Sequence, residues 1–273
     1  MKAEDQPAVQ RMLNKVPEVT VYFWIIKIMA TTVGETAADL LSVKLKLGLT
    51  ITSFVMGTLL LLAMLVQLRS RKYVPSIYWI AVVLISVVGT LITDNLVDNF
   101  GVPLRVTAVA FAIALSVTFA AWYASERTLS IHTIHTTKRE LFYWAAILFT
   151  FALGTAAGDL FAEGMKLGYA YSALLFGGAI AVVTFMYYVF KLNAVLAFWS
   201  AYILTRPLGA SFGDLLSQPT SSGGLGLGTI ATSVIFLVII LGLVIIMTRL
   251  QARDALGQSG FKSIDARKRG DAL

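Results

Sequence analysis

The sequence predicts an all-α membrane protein: eight transmembrane helices, arranged as four parallel-oriented helical hairpins around an axis along the membrane normal. Three observations lead there. Of the 273 residues, 58% are hydrophobic and 14% charged, whereas a soluble domain carries about a quarter charged residues. The apolar residues fall into runs of roughly 20, the length that crosses ~30 Å of hydrocarbon as a helix. One signature, an aromatic residue and Trp followed by Gly and then Asp, recurs four times at fixed spacing.

The eight runs occupy about 19–41, 49–68, 77–97, 104–124, 141–161, 169–190, 195–216 and 226–248. Unbroken runs exclude a β-barrel, whose strands alternate over ~10 residues. The domain organisation follows from them: a polar segment 1–18, a first half 19–130, a linker 131–140, a second half 141–248 and a basic tail 249–273. The polar start, with Lys27, Glu35 and Asp39 inside the first run, argues against a cleavable signal peptide.

Cysteine is absent, which excludes disulfides and thiolate metal sites. The net charge of +7 is a topology signal. Sixteen of the 22 Lys and Arg fall on the side that carries both termini, and only Lys44, Lys46, Arg105 and Lys166 fall on the other. By the positive-inside rule both termini are cytoplasmic. The basic residues do not interleave with exposed aromatics, so nucleic acid is not an expected partner. The expected partners are the lipid bilayer and a small cation, with a homo-oligomer left open.

The repeat is the strongest feature. Trp24, Trp79, Trp144 and Trp199 follow Phe23, Tyr78, Tyr143 and Phe198. Ten residues on stand Gly34, Gly89, Gly154 and Gly209, and fifteen residues on stand Asp39, Asp94, Asp159 and Asp214. A given Trp meets both conditions by chance roughly once in 400, and self-similarity of this kind marks tandem units. Trp24 to Trp144 and Trp79 to Trp199 both span 120 residues, and Lys46-Leu47-Gly48 matches Lys166-Leu167-Gly168 in the same register. One hairpin doubled twice accounts for this. Two spans per unit give all four units one orientation, hence an axis along the membrane normal. The motif helices are expected inside, and the nearly pure apolar second helices outside against lipid.

The segments "KVPEVTVYFWIIKIMATTVGETAAD", "LFYWAAILFTFALGTAAGDL" and "LAFWSAYILTRPLGASFGDLLS" resemble a family of bacterial inner-membrane proteins. Its members have four tandem two-helix repeats with one Trp each and are described as a repeat of unknown function, an uncharacterised membrane-anchored protein. The resemblance covers about residues 15–248. It implies a multi-pass protein of the bacterial inner (plasma) membrane and supports architecture more than activity.

Each part of the signature has an expected job. Trp24, Trp79, Trp144 and Trp199 are expected as interfacial anchors. Gly34, Gly89, Gly154 and Gly209, with Gly158 and Gly213 four residues beyond the last two, are expected to let helices approach closely. The aspartates fit poorly at a helix C-terminus, where the macrodipole is already negative. Either they are functional, or the helix breaks near the Gly and each Asp caps a following turn. One helix face carries Thr32, Glu35 and Asp39 in unit one, Thr90 and Asp94 in unit two, and Thr155 and Asp159 in unit three. Unit four has Pro207, Ala210 and Asp214 there, and Arg206 one position earlier.

The buried charge is unbalanced. Glu35, Asp39, Asp94, Asp159 and Asp214 face only Lys27 and Arg206 as charge partners within the spans. Ionisable groups at this depth mark ion or proton paths. Carboxylates and hydroxyls are hard oxygen donors that suit Mg, Ca or Mn. The lack of His in any span and the scattered Met disfavour soft metals. His132 and His135, three apart in a loop, read as loop residues, with metal binding or pH sensing as the alternative.

The expected function is a transporter of a small cation, a divalent metal such as Mn2+ first. It would work by alternating access of two homologous halves around a carboxylate-lined centre, in exchange for protons. No resident cofactor and no enzymatic activity are expected. The alternatives are an intramembrane aspartyl-type hydrolase using Gly158-Asp159 and Gly213-Asp214, and a non-transporting scaffold or sensor. Because unit four loses the hydroxyl stripe, the site is expected to be asymmetric and biased toward units one to three.

Overall fold

A computed structural model describes the backbone of residues 14–270 and the side chains of residues 14–250. Most of the expected N-terminal segment and most tail side chains therefore lie outside the described residues. The regular structure among the described residues is entirely helical. The long helices are α1 Val21–Asp39, α2 Gly48–Arg69, α3 Pro75–Asp94, α4 Leu104–Glu126, α5 Thr137–Asp159, α6 Tyr169–Val189, α7 Ala194–Ser217 and α8 Thr229–Gly270.

Local sequence sets the starts of the motif helices. Thr20 caps α1 by accepting from the Phe23 amide, Thr136 caps α5 by accepting from Arg139, and Asn193 caps α7 by accepting from Val195 and Leu196. These side chains satisfy amides that have no intrahelical partner. Pro75 opens α3, where a missing N–H costs nothing.

Six helices, α2 to α6 and α8, are long and apolar enough to cross a membrane. The other two, α1 and α7, hold Lys27, Glu35, Asp39, Arg206 and Asp214. Helices α2, α4, α6 and α8 turn apolar side chains outward, among them Phe54, Leu61, Val106, Leu174 and Val238. An exposed apolar belt of this extent suits lipid rather than water.

The packing order differs from four self-contained hairpins. Helices α1, α3, α5 and α7 form a closed inner ring, each packed on the next, with α7 returning to α1. The outer helices pack one unit ahead: α2 on α3, α4 on α5, α6 on α7, and α8 back on α1. The cause lies in the connections. The link out of each motif helix crosses to the neighbouring unit, whereas the short links at 70–74 and 190–193 join helices that pack together.

The glycines make the ring possible. A Cβ at Gly34 would collide with Ser86, at Gly89 with Phe151, at Gly154 with Arg206, and at Gly209 with Thr31. Each partner stands seven residues after the Trp of the next unit. One contact is thus used four times around the ring, and backbones approach where the side chain is missing.

The helices do not break at these glycines, so the capping expectation for the aspartates is corrected. The helical backbone runs through Asp39, Asp94 and Asp159 into π turns at Leu40–Lys44, Asn95–Asn99 and Leu160–Gly164, and none of the three Asp makes a side-chain cap. Such turns occur often at functional sites. Each is followed by a left-handed residue, Lys46, Gly101 or Lys166, with φ of 56°, 67° and 56°. Unit four departs: α7 passes through Pro207 and ends at Ser217 without a π turn.

Candidate cation site

The inside of the ring is layered from the Trp end of the motif helices to the Asp end. At the Trp end, Phe23, Tyr78 and Tyr143 are fully buried, and the Tyr78 and Tyr143 hydroxyls bond one another. Trp79, Trp144 and Trp199 are only 2 to 4% exposed, which leaves no face for lipid headgroups. The anchor expectation is corrected for these three: they are core residues, packed on aromatic rings of the neighbouring unit, Trp79 on Phe23, Trp144 on Tyr78 and Trp199 on Tyr143. Trp24 is half-buried.

Beyond this aromatic layer lies a cluster that sequence reasoning missed. Lys15 reaches Glu140 at 2.6 Å, Gln67 donates to the other Glu140 oxygen at 3.0 Å, and Lys15 also donates to the Leu68 carbonyl at 3.0 Å. The Lys15 amide donates to Ile134 O at 3.0 Å, and the Tyr73 amide donates to Asn14 O at 3.2 Å. Residues Asn14 to Val16 are buried and stitch two connections together. Nothing in the repeat signature pointed to them, since Lys15 and Glu140 are 125 residues apart.

Arg206 fills the middle of the ring and is 0% exposed. One terminal nitrogen is shared among Glu35 at 3.0 Å, Thr155 at 2.7 Å and the Thr90 hydroxyl, and the other donates to the Thr31 carbonyl at 3.4 Å. One guanidinium from α7 thus joins α1, α3 and α5. Charge-assisted bonds of this kind are the strong ones.

On the Asp side of Arg206, oxygens of Glu35, Asp159 and Asp214 all lie within 4.8 Å of one another. Hard divalent cations hold oxygens at about 2.0–2.6 Å, so two ligands of one ion stand at most ~4–5 Å apart. The trio is within reach of a single ion. With all three carboxylates ionised and one guanidinium bound to Glu35, the cluster carries two net negative charges, the complement of a divalent cation.

The other expected ligands are elsewhere. Asp39 accepts from Gln218 at 3.1 Å, and Asp94 stands half-buried outside the trio. Thr90 and Thr155 contact Arg206, but Thr32 donates to the carbonyls of Ile28 and Gly209 instead. Lys27 has no ion pair among the described residues, so its role as a charge partner is corrected. The bias toward units one to three is corrected as well. The trio comes from units one, three and four, because α7 lies beside α1 and Gly213 packs against Glu35, with a Cβ there 3.5 Å from the Glu35 Cβ.

The fold and site define a class: a closed ring of four tandem two-helix units with buried carboxylates and a guanidinium at its centre. The chain belongs to the family described as Repeat of Unknown Function (DUF347), whose model matches four times, over residues 22–73, 77–128, 142–193 and 197–253. These are the four units of the Trp, Gly, Asp signature. No curated protein and no solved structure matches the chain.

Proposed function

We propose that this protein is a multi-pass membrane transporter of a small cation, a divalent metal such as Mn2+ being the substrate, moved in exchange for protons. All eight helices span the bilayer and both termini are cytoplasmic. The observation that carries the reading is the mutual approach of Glu35, Asp159 and Asp214 to within 4.8 Å. Three carboxylates that converge with only oxygen ligands suit a hard divalent cation. Water exclusion by the ring strengthens the attraction between them. The two halves, 19–130 and 141–248, rock about the site to open it to one side and then the other.

The test is flux into liposomes that hold purified protein and a metal-sensitive dye. Asp159→Asn and Asp214→Asn are expected to lower Mn2+ influx at least about tenfold, the effect of losing ~1.4 kcal/mol of binding. Flux that survives the triple change Glu35→Gln, Asp159→Asn, Asp214→Asn overturns the assignment. One observation favours a second reading: Asp159 and Asp214, each after a Gly, stand on adjacent helices with oxygens in reach of each other, as a hydrolytic carboxylate pair requires. Cleavage of a transmembrane peptide by the same liposomes, lost with either Asp, decides for that reading.

A further inference from the structure

Lys27 is the buried base that the carboxylate site leaves unused. It lies on α1 eight residues before Glu35, about 12 Å along the helix. It is 0% exposed, and its amine has no hydrogen-bond partner among the described residues. Two ring faces hold it instead, with Nζ 4.2 Å from the Phe151 centroid and 4.2 Å from that of Tyr202. The same Phe151 ring lies 5.7 Å from the Arg206 guanidinium carbon.

A structural lysine at this depth is paired with an acid or extends to the surface. Lys27 does neither. Two ring faces favour the ammonium, while burial without an acceptor and the nearby guanidinium favour the neutral amine. The two influences oppose one another. The titratable groups on the elements packed around it are Tyr22, Glu35 and Asp39 on α1, Tyr78 and Asp94 on α3, Lys138, Arg139, Glu140, Tyr143 and Asp159 on α5, and Tyr202, Arg206 and Asp214 on α7; α8 has none before Arg249. Toward the Trp end, the Tyr202 hydroxyl is buried without a partner, and the Tyr78 and Tyr143 hydroxyls bond each other.

We infer that Lys27 is the binding site of the proton exchanged for the cation. Its amine takes one proton from water when the carboxylate trio is empty and returns it when the trio fills. Only an N–H bond forms and breaks, and the electron pair stays on nitrogen. The coupling is electrostatic, since a cation at Glu35 raises the potential at Lys27. The inference rests on the transport reading above.

The test uses the full chain in liposomes with a Mn2+ dye and a pH dye, comparing wild type with Lys27→Met and Lys27→Gln. Both variants are expected to bind Mn2+ about tenfold tighter than wild type by calorimetry, since they no longer have a proton to release, and to lose Mn2+-driven proton movement at least about tenfold. Wild-type coupling in Lys27→Met overturns the inference. A second measurement is made on wild type and uses a variant only to assign the signal. In 15N-lysine-labelled wild type, the Lys27 Nζ resonance, identified by its loss in Lys27→Met, is expected to change from ammonium to amine on Mn2+ addition. A resonance fixed in one state through Mn2+ addition and pH change also overturns it. If wild type moves no Mn2+ at all, the transport reading falls instead, and the resonance followed against pH alone still decides whether Lys27 takes up a proton.

Discussion

Arg206 shows how much one residue carries here. It holds Glu35 and bridges three other helices, and it is completely buried. Replacing it with Met strands a buried carboxylate, which costs about 3–5 kcal/mol when one partner of a buried pair is lost. The melting temperature in detergent is expected to drop accordingly and to recover in part when Glu35→Gln is added. Arg206→Lys is not expected to restore stability, because a point charge cannot span acceptors on separate helices. The sequence showed the charge but not its position; the contact with Gly154 in the neighbouring unit is what places it.

The two histidines make a second residue-scale prediction. Burial holds His132 and His135 below the ordinary value of 6.5, and Arg139 adds to the effect at His135. The folded protein therefore binds fewer protons than the unfolded chain in mild acid. Their stabilising contribution is complete above the unfolded value and lost as pH falls through the lowered folded values. Melting temperature is expected to fall between neutral pH and about pH 5, and to fall less in a His132→Gln, His135→Gln double variant. An equal drop in both proteins refutes the assignment.

At the scale of helices, the repeated glycine contact is the decisive element. Adding a methyl at Gly34, Gly89 or Gly209 drives it into the next motif helix, and overpacking of this kind costs about 1–3 kcal/mol. Gly57→Ala and Gly178→Ala on α2 and α6 meet nothing within 4 Å, and should stay within about 0.5 kcal/mol of wild type. Denaturant melts of the five variants check the contrast; equal losses on inner and outer helices rule it out. Small residues at fixed spacing were legible in the sequence, whereas their partners were not. The left-handed turns were half legible: the Lys-Leu-Gly match marked two of them, and Gly101 is the third.

The whole molecule is a ring that closes in space, not along the chain. Helix α8 packs on α1, and Thr36 meets Ser233 at 2.7 Å across that seam. The first half alone, 1–130, loses the partners of α4 and of α1 together, so neither half buries its core without the other. Halves split in the loop at 131 and expressed together are expected to copurify through a tag on one, while each alone fails to show a melting transition. A monodisperse, cooperatively melting single half contradicts the closed ring.

The sequence by itself determined the helices, the four units with their register, and the charges within the spans. These are local facts: a run of apolar residues long enough for a helix, a residue type at a fixed offset, an excess of acids over bases. Only the tertiary structure decided that each outer helix serves the next unit, that three Trp lie in the core, and that Glu35 meets Asp159 and Asp214 while Asp94 stands apart. Those outcomes depend on which helices are neighbours around the ring. No single stretch of chain encodes that order, because each contact joins units 50 to 180 residues apart.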